Sequence, residues 1–219
     1  MSEVTFAVVN YKTLELTRDI IGDLVTFYPR VPRILIDNGS EDRSTELCKH
    51  APVDLLLLNE ENIGHGPALD QAMQVARTRY VFTLDTDTRI KRAGFVVKMV
   101  QALQRQGAYA IGWLRHVNEN GVAIGPTQDP SLFCPYVHPC AALWDRDVYS
   151  TLPPFVDHGA PAVENMQAAY AQRIGVLDFP VWQYVDHMVA GTRRMFGGHW
   201  HPVKGTEAKG WDPDARFPI

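Results

Sequence analysis

Cysteine is scarce in this chain. Cys48, Cys134 and Cys140 are the only three in 219 residues, and no two form a CxxC pair. That excludes a disulfide framework, gives no zinc-ribbon signature and fits a reducing compartment. Long apolar runs are also missing, so no membrane-spanning helix is expected. The opening MSEVTFAVVNYK has no basic region ahead of its apolar stretch, so no secretory leader is expected either. Nor is there a block of positive charge: 21 Lys and Arg face 25 Asp and Glu, for a formal net charge of -4. Nucleic acid is therefore disfavoured as a partner, because binding phosphates needs concentrated cations. No internal repeat and no linker divides the chain. These absences point to a cytoplasmic protein, free or attached peripherally at the inner membrane face.

What is present is an ordinary globular composition, 46% hydrophobic and 21% charged, long enough for one sizeable core. VTFAVV (4–9), RILI (33–36), VDLLLL (53–58) and YVFTL (80–84) are compact apolar runs of strand length. Segments 14–28, 40–50, 66–79 and 93–107 carry apolar residues at helical spacing. Ser40 and Asp42 suit helix caps, Pro67 a first turn and Gly107 a stop. Continuous apolar strands alternating with helices predict a sheet covered on both faces. Past about residue 108 the alternation loosens. A strand at 108–114, a turn at Asn120-Gly121, a strand running into a short helix over 136–150 and a helix over 160–175 are expected. The division is one domain over 1–219, with halves meeting near 107.

The strand ends carry the chemistry. In a doubly wound sheet, ligands bind outside the carboxyl ends of the strands. Here those ends read Asn10-Tyr11, Asp37-Asn38-Gly39-Ser40, Asn59-Glu60-Glu61-Asn62 and Asp85-Thr86-Asp87. In FTLDTDTRI (82–90) an apolar strand stops at two acids two residues apart. On an extended chain such residues share a side, and two unpaired carboxylates side by side are costly.

TFAVVNYK, ILIDNGSEDRS, ENIGHGPALDQAM and YVFTLDTDT, in that order and spacing, resemble the nucleotide-binding half of family 2 glycosyltransferases of the GT-A fold. The likeness is good over residues 4 to about 100 and rests on isolated features over 130–190. It implies an α/β, three-layer α/β/α Rossmann-like fold with a mixed, mostly parallel sheet. It also implies a probe-able reaction: transfer of a sugar from a nucleoside diphosphate sugar, a UDP-sugar by preference, to a hydroxyl on a carbohydrate, lipid-linked or other acceptor, with inversion. By the same resemblance Asp85 and Asp87 hold Mn²⁺ or Mg²⁺ together with the diphosphate, Thr86 lies against the donor, and His187 completes the metal site, with His199 and His201 as rivals. Carboxylates and imidazole suit these ions. Asp37 is expected to read the nucleotide, with Asn10 and Tyr11 beside it, as a rim carboxylate outside the core. Asn62, Gly64 and Gly66 are expected to let the donor approach a helix start, where His65 reads equally as ligand or exposed filler.

Two departures from the family pattern stand out. Asp70 occupies a position often held by Asn. The acidic pair that supplies the general base reads Glu164-Asn165, and Asn165 cannot accept a proton, so Glu164 is expected as base with Asp157 in reserve. A sugar nucleotidyltransferase is the nearest alternative, but NYKTLELTRD lacks its glycine-rich basic loop. A nucleotide-sugar-binding protein without transferase activity is the other.

Overall fold

Alternation along the first strand sets the layers. In a computed structural model, which describes residues 3–118, 120–124, 134–156 and 160–188, β1 (Val4–Asn10) sends Val4, Phe6 and Val8 to one side and Ala7 to the other. The first side is covered by α1 (Leu14–Phe27), α2 (Arg43–His50) and α4 (Phe95–Gln106), through Ile20, Leu24, Cys48, Phe95, Met99 and Leu103. The second is covered by α3 (His65–Val75), α5 (Arg146–Tyr149) and α6 (Val163–Ala171), through Leu69, Met73, Tyr149, Val163 and Met166. The result is three layers, α/β/α, as the patterning predicts.

The strands between them are β2 (Arg33–Asn38), β3 (Leu55–Asn59), β4 (Tyr80–Asp85), β6 (Ala110–Gly112), β9 (Ala141–Asp145) and β10 (Val176–Asp178). With β1 they form a seven-stranded sheet in the order β10-β6-β9-β4-β1-β2-β3. β4, β1, β2 and β3 are parallel, so their polar ends share one rim. β9 is inserted antiparallel between β4 and β6. Its register pairs Leu84 with Ala141, and the Asp85 amide donates to the Cys140 carbonyl at 3.0 Å. The turn before β9 therefore arrives at the same rim as the acids.

Two small ribbons frame that rim. β5 (Thr88–Ile90) pairs antiparallel with β11 (Val185–His187), setting His187 opposite Thr88. β7 (Leu114–Val117) pairs with β8 (Cys134–Val137), setting Arg115 opposite Tyr136. The first ribbon is fastened to α1. Asp23 accepts from Arg89 Nε at 2.8 Å, Arg89 Nη2 at 3.0 Å and the Ile90 amide at 2.8 Å.

Several expectations are corrected here. Of the two expected caps Asp42 serves α2, accepting from the Ser44 amide, while Ser40 turns inward toward Asp37. Over 136–150 a strand does run into a short helix, β9 into α5, but a further strand, β8, precedes it because the chain turns at Pro139-Cys140. β3 is an edge strand with Leu55 and Leu58 exposed, so its unbroken apolar run does not mean burial on both faces. Asp85 and Asp87 are not on one extended strand: Thr86 and Asp87 form the turn between β4 and β5.

Candidate functional site

The β4–β5 turn still brings the acids together, by folding back rather than by strand alternation. Burial and the neighbouring Asp87 charge hold the Asp85 carboxyl well above its usual range, at about 7, against the pull of His187. His187 Nε2 lies 3.3 Å from Asp87 Oδ1. Burial opposes a charge on this imidazole, but Asp87 and the Asp85 charge outweigh it and raise its pKa. Both shifts favour proton retention at this cluster, which offsets the charge the sequence leaves unbalanced. His187 arrives because the Met188 amide donates to the Asp87 carbonyl at 2.8 Å, extending the β5–β11 ladder.

A shell surrounds this pair that sequence reasoning largely missed. His65, the first residue of α3, places Nε2 3.4 Å from Asp85 Oδ1. Burial lowers its pKa to about 4, offset in part by Asp87. It is therefore a neutral member of the site and not exposed filler. His138 is pushed to about 3, by burial first and then by His187, Arg115 and His65. Its Nδ1 accepts from the Cys140 amide at 3.2 Å, which fixes the proton on Nε2. The Cys140 thiol is fully buried, and burial with the Asp85 and Asp87 charges drives its pKa well up. Asp85, Cys140 and His187 each offer a ligand atom, and the three atoms lie within 4.8 Å of one another. Burial likewise raises Tyr136, whose hydroxyl meets the Ala162 backbone at the start of α6. Arg115 stacks on Trp113 at 4.8 Å, and Trp113 in turn meets Trp182 at 5.2 Å. The signal that was available is HPC, two ligand-type residues around a proline just before an apolar strand.

At the ends of β1 and β2 the polar residues face inward. Asn10 has no exposed surface; its Nδ2 donates to Asp37 Oδ1 at 2.7 Å and to Ser40 and Ser44, and its Oδ1 accepts from Thr13 and Thr17. Asp37 is only 2% exposed and also accepts from the Ser40 hydroxyl. The expectation of a rim carboxylate outside the core is thus corrected: Asp37 ties β1 to β2. Thr86 is buried against Thr13. Tyr11 lies half-buried past the end of β1, under the Lys12 ammonium. Asn62 Oδ1 accepts from Asn38 Nδ2 at 2.8 Å and from the Gly64 amide at 3.0 Å, shaping the loop before α3. Gly64 has φ +100°, which favours glycine, and Gly66 is buried in the first turn of α3. Gly39 is equally required: a Cβ there would meet the Glu61 carbonyl carbon at 2.3 Å.

On the other half, Glu164 is exposed in the first turn of α6. Asn165 points away from it into the core, accepting from the Tyr109 hydroxyl at 2.7 Å and donating to the Pro153 carbonyl at 2.7 Å. Asp70 accepts from the Tyr149 hydroxyl, which accepts from the Phe155 amide, so this departure also has a structural partner. Trp144 is a core residue, donating to Thr83. Asp157, His199 and His201 lie outside the described residues. Among the described residues no helix is long and apolar enough to cross a membrane.

The glycosyl transferase family 2 model matches residues 6–170 of the chain. Among solved structures, the mannosyltransferase PcManGT from Pyrobaculum calidifontis, in complex with GDP-Man and Mn²⁺, gives a TM-score of 0.59 at 18% identity, over 81% of this chain and 55% of that one. TarS 1-349 from S. aureus, in complex with UDP-GlcNAc, gives 0.56 at 16% identity, over 80% and 56%. At such identities the likeness is one of fold, and the chain spans little more than half the length of either structure. No curated protein matches it.

Proposed function

Since the chain belongs to glycosyl transferase family 2, we propose that it transfers a hexose from a nucleoside diphosphate sugar to an acceptor hydroxyl with inversion, assisted by a divalent cation. The observation that carries this reading is the convergence of Asp85 and Asp87, from the β4–β5 turn, with His187, from β11, on the carboxyl rim of a GT-A sheet. Two carboxylates and an imidazole suit Mn²⁺, or Mg²⁺ shared with phosphates, and a carboxyl pushed up by burial and its acidic neighbour is a fitting host. When bound, the cation supplies positive charge to the diphosphate as it departs.

The chain's own residues do the rest. β4 and β2 are separated by β1, so their ends are about 10 Å apart at ordinary strand spacing. That span seats a diphosphate by Asp85 and a nucleoside by Asp37. Asn10 acts through Asp37, which it orients, and Tyr11 offers a ring to the base. Asp37 accepts from the base or ribose, and uridine is the preferred nucleoside. Asn62, Gly64 and Gly66 hold the loop that brings the α3 N-terminus to the rim, and Thr86 holds the turn between the two acids. Glu164 takes the proton from the acceptor hydroxyl, with Asp157 as the reserve carboxylate. The acceptor is a carbohydrate, lipid-linked or other hydroxyl compound.

The test is nucleotide binding by calorimetry with UDP, GDP, dTDP and CDP, with Mn²⁺ and with EDTA. Chelation and Asp87→Ala should each weaken binding of the preferred diphosphate; unchanged affinity in both would remove the metal from the reading. Glu164→Gln should keep donor binding and lose about 10²- to 10⁴-fold in transfer rate. Normal transfer by that variant would move the base elsewhere.

A further inference from the structure

Cys140 has no part in the reaction just described, yet it sits at its centre. A buried cysteine is usually inert filler. Here its position is fixed by the antiparallel register of β9 on β4, with the Asp85 amide bonded to the Cys140 carbonyl at 3.0 Å. Its Sγ shares a 4.8 Å neighbourhood with a carboxylate oxygen of Asp85 and a ring nitrogen of His187. Filler needs no such convergence of sulfur, oxygen and nitrogen donors.

We infer that Cys140 Sγ is a ligand in this metal centre, making it a mixed sulfur, nitrogen and oxygen site for thiophilic divalent ions of the Zn²⁺ and Co²⁺ class. The inference rests on the metal-binding part of the proposed function. Metal bonds of about 2.0–2.3 Å hold tetrahedral ligand atoms about 3.5 Å apart, so side-chain movements of about 1 Å close the set. His65 Nε2, 3.4 Å from Asp85 Oδ1, is a further nitrogen at hand. Thiolate and imidazole select Zn²⁺ and its neighbours, whereas Mg²⁺ demands oxygen in octahedral geometry. On binding, the thiol releases its proton to solvent and a sulfur lone pair forms the bond; no electron is transferred. The centre therefore binds Zn²⁺ and Co²⁺ more tightly than Mg²⁺, which would use its oxygen ligands alone.

Cobalt reads this directly. The full chain, reduced and stripped with chelator, is titrated with Co²⁺ and followed by absorption. Binding should give visible d–d bands and a near-ultraviolet sulfur-to-cobalt charge-transfer band. Cys140→Ser should lose the near-ultraviolet band, while Cys48→Ser and Cys134→Ser keep it. Outer-shell changes alone cost about 10- to 100-fold in metal affinity, so Cys140→Ser should weaken Zn²⁺ at least that much and leave Mg²⁺ unchanged. Visible bands without the charge-transfer band in the wild-type chain overturn the sulfur ligand and leave the metal reading standing. No cobalt binding, even with nucleoside diphosphate present, overturns both. The wild-type spectrum decides even if Cys140→Ser does not fold.

Discussion

Asp37 holds two duties in one side chain. Its Oδ1 receives Asn10 Nδ2 and the Ser40 hydroxyl, so the residue is part of the packing between β1 and β2. Removing the acceptor takes the Ser40 hydroxyl's partner away and leaves Asn10 Nδ2 only Ser40 and Ser44, and losing a buried donor's partner costs about 1–3 kcal/mol. Asp37→Ala should therefore lower stability as well as nucleotide affinity. Asp37→Asn keeps an acceptor oxygen in place; it should retain stability and lose nucleotide affinity alone. Denaturant melts beside calorimetric titration check this, and equal nucleotide binding in all three forms would leave Asp37 a purely structural residue. Asn165 shows the same economy in reverse. Its amide donates to one buried carbonyl and accepts from one buried hydroxyl, which a carboxylate cannot do.

At the scale of elements, the β5–β11 ribbon decides whether His187 reaches Asp87. The ribbon is only three residues long on each strand. Its hold on the body of the protein runs through Asp23, which is 9% exposed and accepts three hydrogen bonds from Arg89 and Ile90. Hydrogen bonds to a charged group contribute about 1.5–3 kcal/mol. Asp23→Ala should cost about 2–3 kcal/mol, or about 4–12 °C in melting temperature for a chain of this size. Metal affinity should fall with it, because the imidazole loses its position. Melting curves and a metal titration test this; a destabilised variant with unaltered metal affinity would show that the ribbon is held by other contacts.

Across the whole molecule, the site makes stability depend on pH in two opposite senses. His65 and His138 are depressed from 6.5 to about 4 and about 3, so they stay neutral when folded and take protons on unfolding. Their contribution is full above pH 6.5 and is lost as pH falls toward those values. Asp85 is raised from 3.8 to about 7 and His187 is raised above 6.5. Their contributions are present at low pH and are lost as pH rises through the folded values. Below about pH 6 two imidazoles oppose one carboxyl, so stability should rise with pH by at most about 1.4 kcal/mol per unit. Above about 6.5 only the falling terms remain. Metal-free protein should be most stable near pH 6–7, and saturating Mn²⁺, which displaces those protons, should remove the decline on the alkaline side. Melting temperatures from pH 4.5 to 8, with chelator and with Mn²⁺, decide it; a monotonic rise without metal would contradict the burial of Asp85.

The sequence by itself determined the layers and the rim. Apolar runs of strand length separated by helical periodicity place β1 to β4 in a covered parallel sheet, and a parallel sheet must present all its carboxyl ends on one side. That is why Asp37 and the Asp85 and Asp87 pair were legible as lying on one rim. The Gly107 stop and the Asp42 cap were legible too, but the inward turn of Ser40 and the β8–β9 break were not, because a serine or a proline turn serves several local conformations equally well. What only the tertiary structure decided is which distant residues meet the acids. Cys140 comes by the register of an antiparallel strand inserted between parallel ones; His187, which the resemblance singled out beforehand, is carried to Asp87 by a three-residue ribbon. Such pairings are set by backbone hydrogen bonds and by packing against the rest of the core, and neither leaves a periodic trace in the chain. The inward turn of Asn10 and Asp37 has the same origin: a polar residue at a strand end reads alike whether it faces solvent or a buried partner.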